Sequence, residues 1–188
     1  GRRHSLYIDS AGNLYGLGDN RWKKLIDSPE EKYQTPVRIM GEAAAVYAGE
    51  HSTLVVDKNG GLYYFGWRDC ISFGAGGGDG AVHNIFNSGS VRRASIQDEH
   101  VLFVTENNRV YGWGLNSDGQ ICSNAGTQSV PYLISANAAS AAAGSWFSMI
   151  LNTDGSITIW GRNTSGIAGN GTISQNASQV ILPASLFQ

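Results

Sequence analysis

This sequence of 188 residues has few charged residues, no excess of basic over acidic residues and no long apolar run. Charged residues make up 15%, against roughly 25% in an ordinary soluble domain, and the formal net charge is −2. Because nucleic-acid binding requires a basic surface, this balance predicts that nucleic acid is not a partner. No apolar stretch approaches the roughly 18 residues that cross a bilayer, so we expect no membrane-spanning helix.

Proline and cysteine are scarce as well. The four prolines exclude a fibrous or low-complexity chain. The two cysteines, Cys70 and Cys122, are too few to build a disulfide framework or a zinc site by themselves. We therefore predict that the protein has no metal site and no cofactor.

Glycine, in contrast, is abundant with 25 residues, and its spacing shows an internal repeat. Four segments share two short apolar stretches around a turn, and each segment closes on a glycine: Gly18, Gly66, Gly114 and Gly161. The spacing between successive closing glycines falls in the range of roughly 40–50 residues that is typical of several families of structural repeats. Repeats at approximately 1–48, 49–96, 97–143 and 144–188 account for the whole chain, which predicts a single domain.

Each repeat predicts three or four β-strands. A hairpin is indicated by turn residues between the apolar stretches: Ala11-Gly12, Asn59-Gly60, Asn107-Asn108 and Asp154-Gly155. After a polar loop comes an extended stretch, which begins at Pro36, Ser90, Pro131 and Ser178 in the four repeats. Runs of small residues at Glu42 and Ala138 then predict a closely packed strand. With no helical periodicity, the chain is predicted to be all-β, with four repeats that form blades of a β-propeller; a β-solenoid, whose repeats are usually shorter, is the alternative.

The repeat motif resembles that of the regulator of chromosome condensation repeat family. The motif is carried best by residues 1–20 and 108–121, with a histidine before the first apolar stretch and Gly-x-Asn after the second. Repeat one departs from it by having Lys23-Lys24 where the family has Gly-Gln. In repeat two, Gly66-Trp67-Arg68-Asp69 replaces Gly-x-Asn, and the distance from Gly49 to His51 is one residue short.

The resemblance implies a propeller, which in this family usually has seven blades. Four repeats therefore predict part of a seven-bladed propeller in a longer chain. Closure by oligomerisation, with two copies in a homodimer, and closure of four blades on themselves are the alternatives.

The residues that recur in the repeat are predicted to be structural. These are the closing glycines and three histidines, His4, His51 and His100, which are predicted to share one repeat position at the start of a strand. We expect their ring nitrogens to bond to backbone there. His83 does not recur and lies in a glycine-rich segment, where it is either a functional loop residue or a solvated loop histidine.

Two of the five tryptophans, Trp113 and Trp160, precede closing glycines and are predicted to lie in the core. The other three do not follow the repeat, and arginines flank two of them. Because tryptophan and arginine dominate the energetics of protein interfaces, we predict a binding surface built from six residues: Trp22, Arg21, Trp67, Arg68, His83 and Trp146.

No arrangement typical of catalysis is present, and we predict a non-enzymatic protein–protein interaction module with a protein partner. The family resemblance implies a first alternative, a guanine-nucleotide exchange factor for a small GTPase, an activity that only a minority of members have. A secreted bacterial inhibitor or toxin-associated module is the second alternative, so that both secreted and cytoplasmic locations stay open.

Overall fold

The structure, a computed structural model, describes residues 1–67, 81–97, 100–121 and 126–187. Its regular elements are fifteen strands and two short 3-10 turns, Arg21–Lys23 and Ala184–Phe187. The helical segments in these ranges have neither the length nor the hydropathy of a membrane span. The chain divides into two compact units, Gly1–Arg92 and Arg93–Gln188.

The strands form four antiparallel sheets, which confirms the all-β prediction. The first sheet has three strands, in the order β1 (His4–Ile8), β2 (Leu14–Asp19) and β3 (Lys32–Met40). The second sheet contains β4 (Ala43–Ala48), β5 (Ser52–Asp57), β6 (Leu62–Gly66) and β7 (His83–Phe86). The third contains β8 (Val91–Gln97), β9 (His100–Thr105), β10 (Val110–Gly114) and β11 (Gln128–Ser135). The fourth contains β12 (Ala138–Ala143), β13 (Phe147–Asn152), β14 (Ile157–Asn163) and β15 (Ser174–Leu182).

The four hairpins form where the sequence predicts them. A residue in each turn has a positive φ, as the turn chemistry requires: Gly12, Gly60, Asn108 and Gly155. In the first two turns an aspartate accepts backbone hydrogen bonds. The Asp9 carboxylate accepts from the amides of Ala11 and Asn13 at 3.0 and 2.8 Å, so the acidic residues near these turns have a local structural role.

The sheets are offset by one strand from the sequence repeats. Strand β4 follows the first sheet in sequence, yet it pairs with β5 as the first strand of the second sheet. A recurring hydrogen bond joins successive sheets, in which the hairpin turn of one sheet accepts from the amide at the start of the next. The carbonyl of Gly12 accepts from Ala43 at 2.9 Å, and that of Asn108 accepts from Ala138 at 2.8 Å.

One strand prediction is wrong. The extended stretch at Ser90 was expected to follow the hairpin of repeat two as its third strand, but Val91–Gln97 is the first strand of the third sheet. The third partner of that hairpin is β7, which pairs with β6. Its four residues, HNIF, lie shortly after a glycine-rich segment and are too few to show the pattern of a strand.

Each unit has an apolar core built from the same repeat positions. In the first unit Leu14, Ala43, Val55 and Phe65 are buried together. In the second unit the equivalent set is Val110, Ala138, Ile150 and Trp160, with Val104. The core assignments of Trp113 and Trp160 are confirmed, since these side chains are only 1% and 3% exposed. The small alanine at the first strand allows the larger side chains of adjacent strands to fill each core.

Candidate functional site

The candidate site in the first unit is built on the loop that follows β2. Asn20, which is buried, holds this loop through its side-chain amide. Its Oδ1 accepts from the Leu25 amide at 3.0 Å, and its Nδ2 donates to the Glu30 carbonyl at 2.9 Å. Asn116 and Asn163 hold the corresponding loops of the second unit, accepting from the amides of Ile121 and Ala168 at 2.7 and 2.9 Å. The loop backbone is therefore fixed by the repeat, and its exposed side chains are free to vary.

Two residues of this loop, Trp22 and Lys23, have left-handed backbone conformations, with φ of 68° and 56°. The residues that correspond to Lys23 in repeats three and four are glycines, Gly119 and Gly166, with φ of 69° and 72°. A side chain at positive φ costs about 1–3 kcal/mol, and such strain is concentrated at functional sites. The loop thus holds Trp22 outward in an unfavourable conformation.

Trp22 stacks on Trp67, which directly follows β6. The ring centroids are 5.6 Å apart with an interplanar angle of 22°. The His51 ring meets Trp67 edge-on, with centroids 5.3 Å apart, and the Trp67 amide donates to the His51 carbonyl at 3.1 Å. Trp22 is 43% exposed and Trp67 is half-buried. We call these three residues, Trp22, Trp67 and His51, the tryptophan patch.

A cleft of about 260 Å³ opens at the tryptophan patch. Its wall includes Arg2, Arg3 and Arg21. Arg2 forms an ion pair with Glu50, and Glu50 also lies 3.3 Å from His51 Nε2. Stacked indoles beside several guanidinium groups form the kind of surface that anchors a protein partner.

Beneath the loop lies a buried ion pair. Lys24 is 1% exposed, and its Nζ donates to Asp19 Oδ2 at 2.6 Å, while Arg21 Nε donates to Asp19 Oδ1 at 2.6 Å. Burial works to raise the pKa of the Asp19 carboxyl, but the hydrogen bonds from Arg21 and Lys24 outweigh it and leave that pKa below its ordinary value. Asp19 is therefore ionised and fully engaged within the loop.

His4 links the loop to the second sheet. Its Nε2 lies 3.4 Å from Thr53 Oγ1, and that hydroxyl donates to the Lys24 carbonyl at 2.8 Å. Because the hydroxyl proton is used by this carbonyl, His4 must be the donor, which assigns its proton to Nε2. In the second unit His100 Nε2 lies 2.9 Å from Ser148 Oγ, which donates to Gln120. Both histidines contact a hydroxyl of the next sheet, and that hydroxyl donates to a backbone carbonyl of the loop.

The environment of His4 makes stability dependent on pH. Burial, followed by repulsion from the Lys24 ammonium, lowers the pKa of His4 from 6.5 to about 4. Between these values the unfolded chain binds a proton that the folded chain does not, so stability is lost as pH falls from about 6.5 to about 4. We expect urea unfolding to show a loss of about 2 kcal/mol between pH 7 and pH 5 from this residue.

His4→Gln is the control for that measurement, since it cannot titrate. Its free energy of unfolding should be lower at pH 7 but should change less between the two pH values. Parallel pH profiles for the two proteins would contradict the low pKa of His4.

The structure corrects the prediction for His51. Gly18 pairs with His4, but Gly66 pairs with Ser52. His51 therefore precedes the shared repeat position by one residue, because it lies closer to Gly49 than His4 lies to Gly1, and Ser52 takes the position of His4. This shift places His51 against Trp67 instead of at the start of a strand, and it makes His51 part of the tryptophan patch.

The other predicted binding residues do not all lie at the tryptophan patch. Arg21 and Trp22 line the 260 Å³ cleft with Trp67, whereas Arg68 lies outside the described residues, as do Cys70 and Cys122. His83, predicted to be a loop residue, lies in β7 opposite Tyr64. Strand pairing and partial burial explain its position better than a flexible functional loop does.

Trp146 belongs to the second unit. It is 41% exposed, has a φ of 65°, and stacks on the Arg162 guanidinium at 4.8 Å from the ring centroid. Its exposure and backbone conformation closely match those of Trp22. In the described part of its unit, no second tryptophan stacks on Trp146 as Trp67 stacks on Trp22.

Sequence reasoning missed Arg3 and the Asp19–Lys24 pair. The substitution of Gly-Gln by Lys23-Lys24 was the available signal for the buried lysine, and the short spacing before His51 was the signal for the patch. No sequence signal pointed to Arg3, because single surface arginines are common. Among the described residues, no group of three His, Cys, Asp or Glu side chains is arranged to hold a metal ion.

Comparison with protein families gives a match to the regulator of chromosome condensation (RCC1) repeat at residues 98–120 and 139–167. The Ultraviolet-B receptor UVR8 of Arabidopsis thaliana is 25% identical over 195 residues, which cover 96% of this chain and 44% of the receptor. The family match spans the hairpins of the third and fourth sheets with their closing glycines, Gly114 and Gly161.

Two solved structures have a similar fold. Human WBSCR16 superposes with a TM-score of 0.82 at 21% identity, over 100% of this chain and 51% of its own. Prp20p from Saccharomyces cerevisiae, whose binding properties to Gsp1p and histones have been described, superposes with a TM-score of 0.78 at 16% identity, over 96% of this chain and 49% of its own. The chain thus spans about half the length of these relatives, and its four sheets match blades of their β-propellers.

Proposed function

We propose that this chain, which matches the regulator of chromosome condensation repeat at residues 98–120 and 139–167, is a non-enzymatic protein-binding module whose binding surface is the tryptophan patch. The observation that carries this proposal is the exposed stack of Trp22 on Trp67 beside a cleft lined by arginines. Both tryptophans depart from the repeat, so the scaffold does not require them at these positions.

Several properties of the patch favour protein binding. Trp22 keeps 43% of its surface exposed, and burying the exposed part of an indole against a partner contributes strongly to affinity. The loop beneath it is fixed by Asn20, which reduces the entropy lost on binding. The strain at Trp22 also indicates that its outward position is maintained against a local cost.

Trp22→Gly tests the proposal with little risk to folding. Glycine adopts the φ of 68° found at this position without strain. This gain offsets part of the stacking on Trp67 that the variant loses, so we expect the variant to remain folded. The lost indole should nonetheless reduce partner binding at least about tenfold, the effect expected for an interface hot spot. Chemical cross-linking of immobilised protein to an extract of the source cells, quantified by mass spectrometry, measures the binding, and thermal unfolding measures the stability.

Trp146→Gly is the matched control, because it removes a tryptophan of nearly equal exposure and φ. Partners captured by the original chain should be kept by Trp146→Gly and lost by Trp22→Gly. Loss in Trp146→Gly alone would place the binding surface in the second unit and contradict the proposal.

A further inference from the structure

The cleft at the tryptophan patch continues along the first sheet. A second cleft, of about 620 Å³, is lined by residues that include Arg3, Arg21, Lys32 and Tyr33. Arg3 and Arg21 line both clefts. The two clefts therefore form one surface, which runs from Trp67 past Arg3 and Arg21 to Lys32, and we call it the basic track.

The basic track has a charge of opposite sign to that of the chain. The whole sequence has 13 basic and 15 acidic residues. The charged side chains that line the two clefts, in contrast, are five basic residues and two acidic ones: Arg2, Arg3, Arg21, Lys24 and Lys32, with Asp19 and Glu50. A positive surface on a negative protein attracts anionic groups locally, although the net charge does not.

A third cleft at Arg21 and Trp22 adds Lys23, Glu30 and Glu31 to the surroundings of the track. The three clefts together are lined by six basic and four acidic residues, so the surface stays positive. Asp19 is bound by Lys24 and Arg21, and Glu50 is bound by Arg2. Within the described ranges, Arg3 and Lys32 take part in none of the ion pairs, and both are exposed. A guanidinium such as that of Arg3 can bind a carboxylate through two parallel hydrogen bonds.

The geometry of the tryptophan patch favours a peptide over a nucleic acid. A single-stranded nucleic acid stacks successive bases on separate aromatic faces. Here Trp22 and Trp67 cover each other, and His51 contacts Trp67 from another side. One indole surface at Trp22 is left for a ligand, which suits a single apolar side chain.

We propose that the basic track binds an acidic peptide segment of the partner, with one aromatic or large aliphatic side chain on Trp22 and carboxylates on Arg3 and Lys32. This inference rests on the proposed function and specifies the chemistry of the partner. The Asp19–Lys24 pair supports the track from beneath, because it holds Arg21 and the loop in place.

Defined peptide pools test the inference on the full chain. The first pool contains fluorescein-labelled peptides of about ten residues, in which Glu alternates with Phe, Leu or Trp. Two matched pools contain peptides with Lys or Gln in place of Glu. We expect fluorescence anisotropy to show the acidic pool binding at least about tenfold more tightly than the other two at low salt, with weaker binding as salt screens the charges. The charge-reversed variant Arg3→Glu/Lys32→Glu should prefer the Lys pool.

The outcomes separate the inference from the proposed function. Equal binding of the three pools, or no binding, would overturn the proposal that the track binds an acidic peptide. The capture experiment with Trp22→Gly tests the proposed function independently. If Trp22→Gly binds the acidic pool as tightly as the original chain does, the tryptophan patch contributes nothing to peptide binding, and the proposal is overturned. Displacement of the acidic pool by a lower concentration of oligouridine overturns the inference in favour of a nucleic acid.

Discussion

Asp19→Asn should lower the free energy of unfolding by about 3–5 kcal/mol, the range measured when one partner of a buried ion pair is removed. Lys24 is 1% exposed and its ammonium is bound by Asp19 at 2.6 Å. Without the carboxylate, that positive charge would remain in a site that excludes water. Urea unfolding, followed by tryptophan fluorescence at neutral pH, measures the loss.

The substitution of the lysine should have a much smaller effect. Lys24→Gln leaves Asp19 bound to Arg21, which is exposed on the other side of the carboxylate. Glutamine also occupies the corresponding buried position of repeat three, Gln120. We expect Lys24→Gln to cost about 1 kcal/mol, the net value of an ordinary hydrogen bond.

The double variant Asp19→Asn/Lys24→Gln completes the thermodynamic cycle. It removes both charges, so most of the stability lost in Asp19→Asn should return. Additive losses in the double variant would show that the buried charge on Lys24 is not the cause. The same variants also test whether the pair positions Arg21, since the double variant should weaken acidic peptide binding while remaining folded.

Local patterns were sufficient to predict most of the fold. Each hairpin combines alternating or continuous apolar residues with a turn that needs positive φ, and both signals lie within about fifteen residues of sequence. Strand β7 was missed because its four residues contain too little pattern. The stretch at Ser90 was misassigned because its role depends on pairing with β9, which a local pattern does not record.

The candidate site was only partly predictable for the same reason. Trp22 and Trp67 were identified because they depart from the repeat, and departures from an internally consistent pattern mark functional positions. Their stacking depends on how the loop after β2 meets the end of β6, which is a tertiary relation. Arg3 and Lys32 acquire meaning only from the clefts between these elements, and no sequence motif distinguishes them from other exposed cations.

The repeat itself contains the second large effect. Gly161 has a φ of +102°, and a Cβ built there would lie 2.7 Å from the Trp146 carbonyl oxygen and 2.8 Å from the Phe147 Cα. Both atoms are backbone and are held by strand pairing, since Phe147 pairs with Gly161. The closing glycine thus allows two adjacent strands to approach more closely than any side chain would permit.

Gly161→Ala should therefore cost at least about 3 kcal/mol, because the strain of positive φ and the backbone clash add together. Gly166→Ala is the control within the same repeat. Gly166 has a φ of +72°, but no atom lies within 4 Å of the Cβ position, so this variant should cost only about 1 kcal/mol. Equal losses on urea unfolding would mean that backbone conformation alone selects glycine. A larger loss in Gly161→Ala would show that close strand approach explains why every repeat closes on this residue.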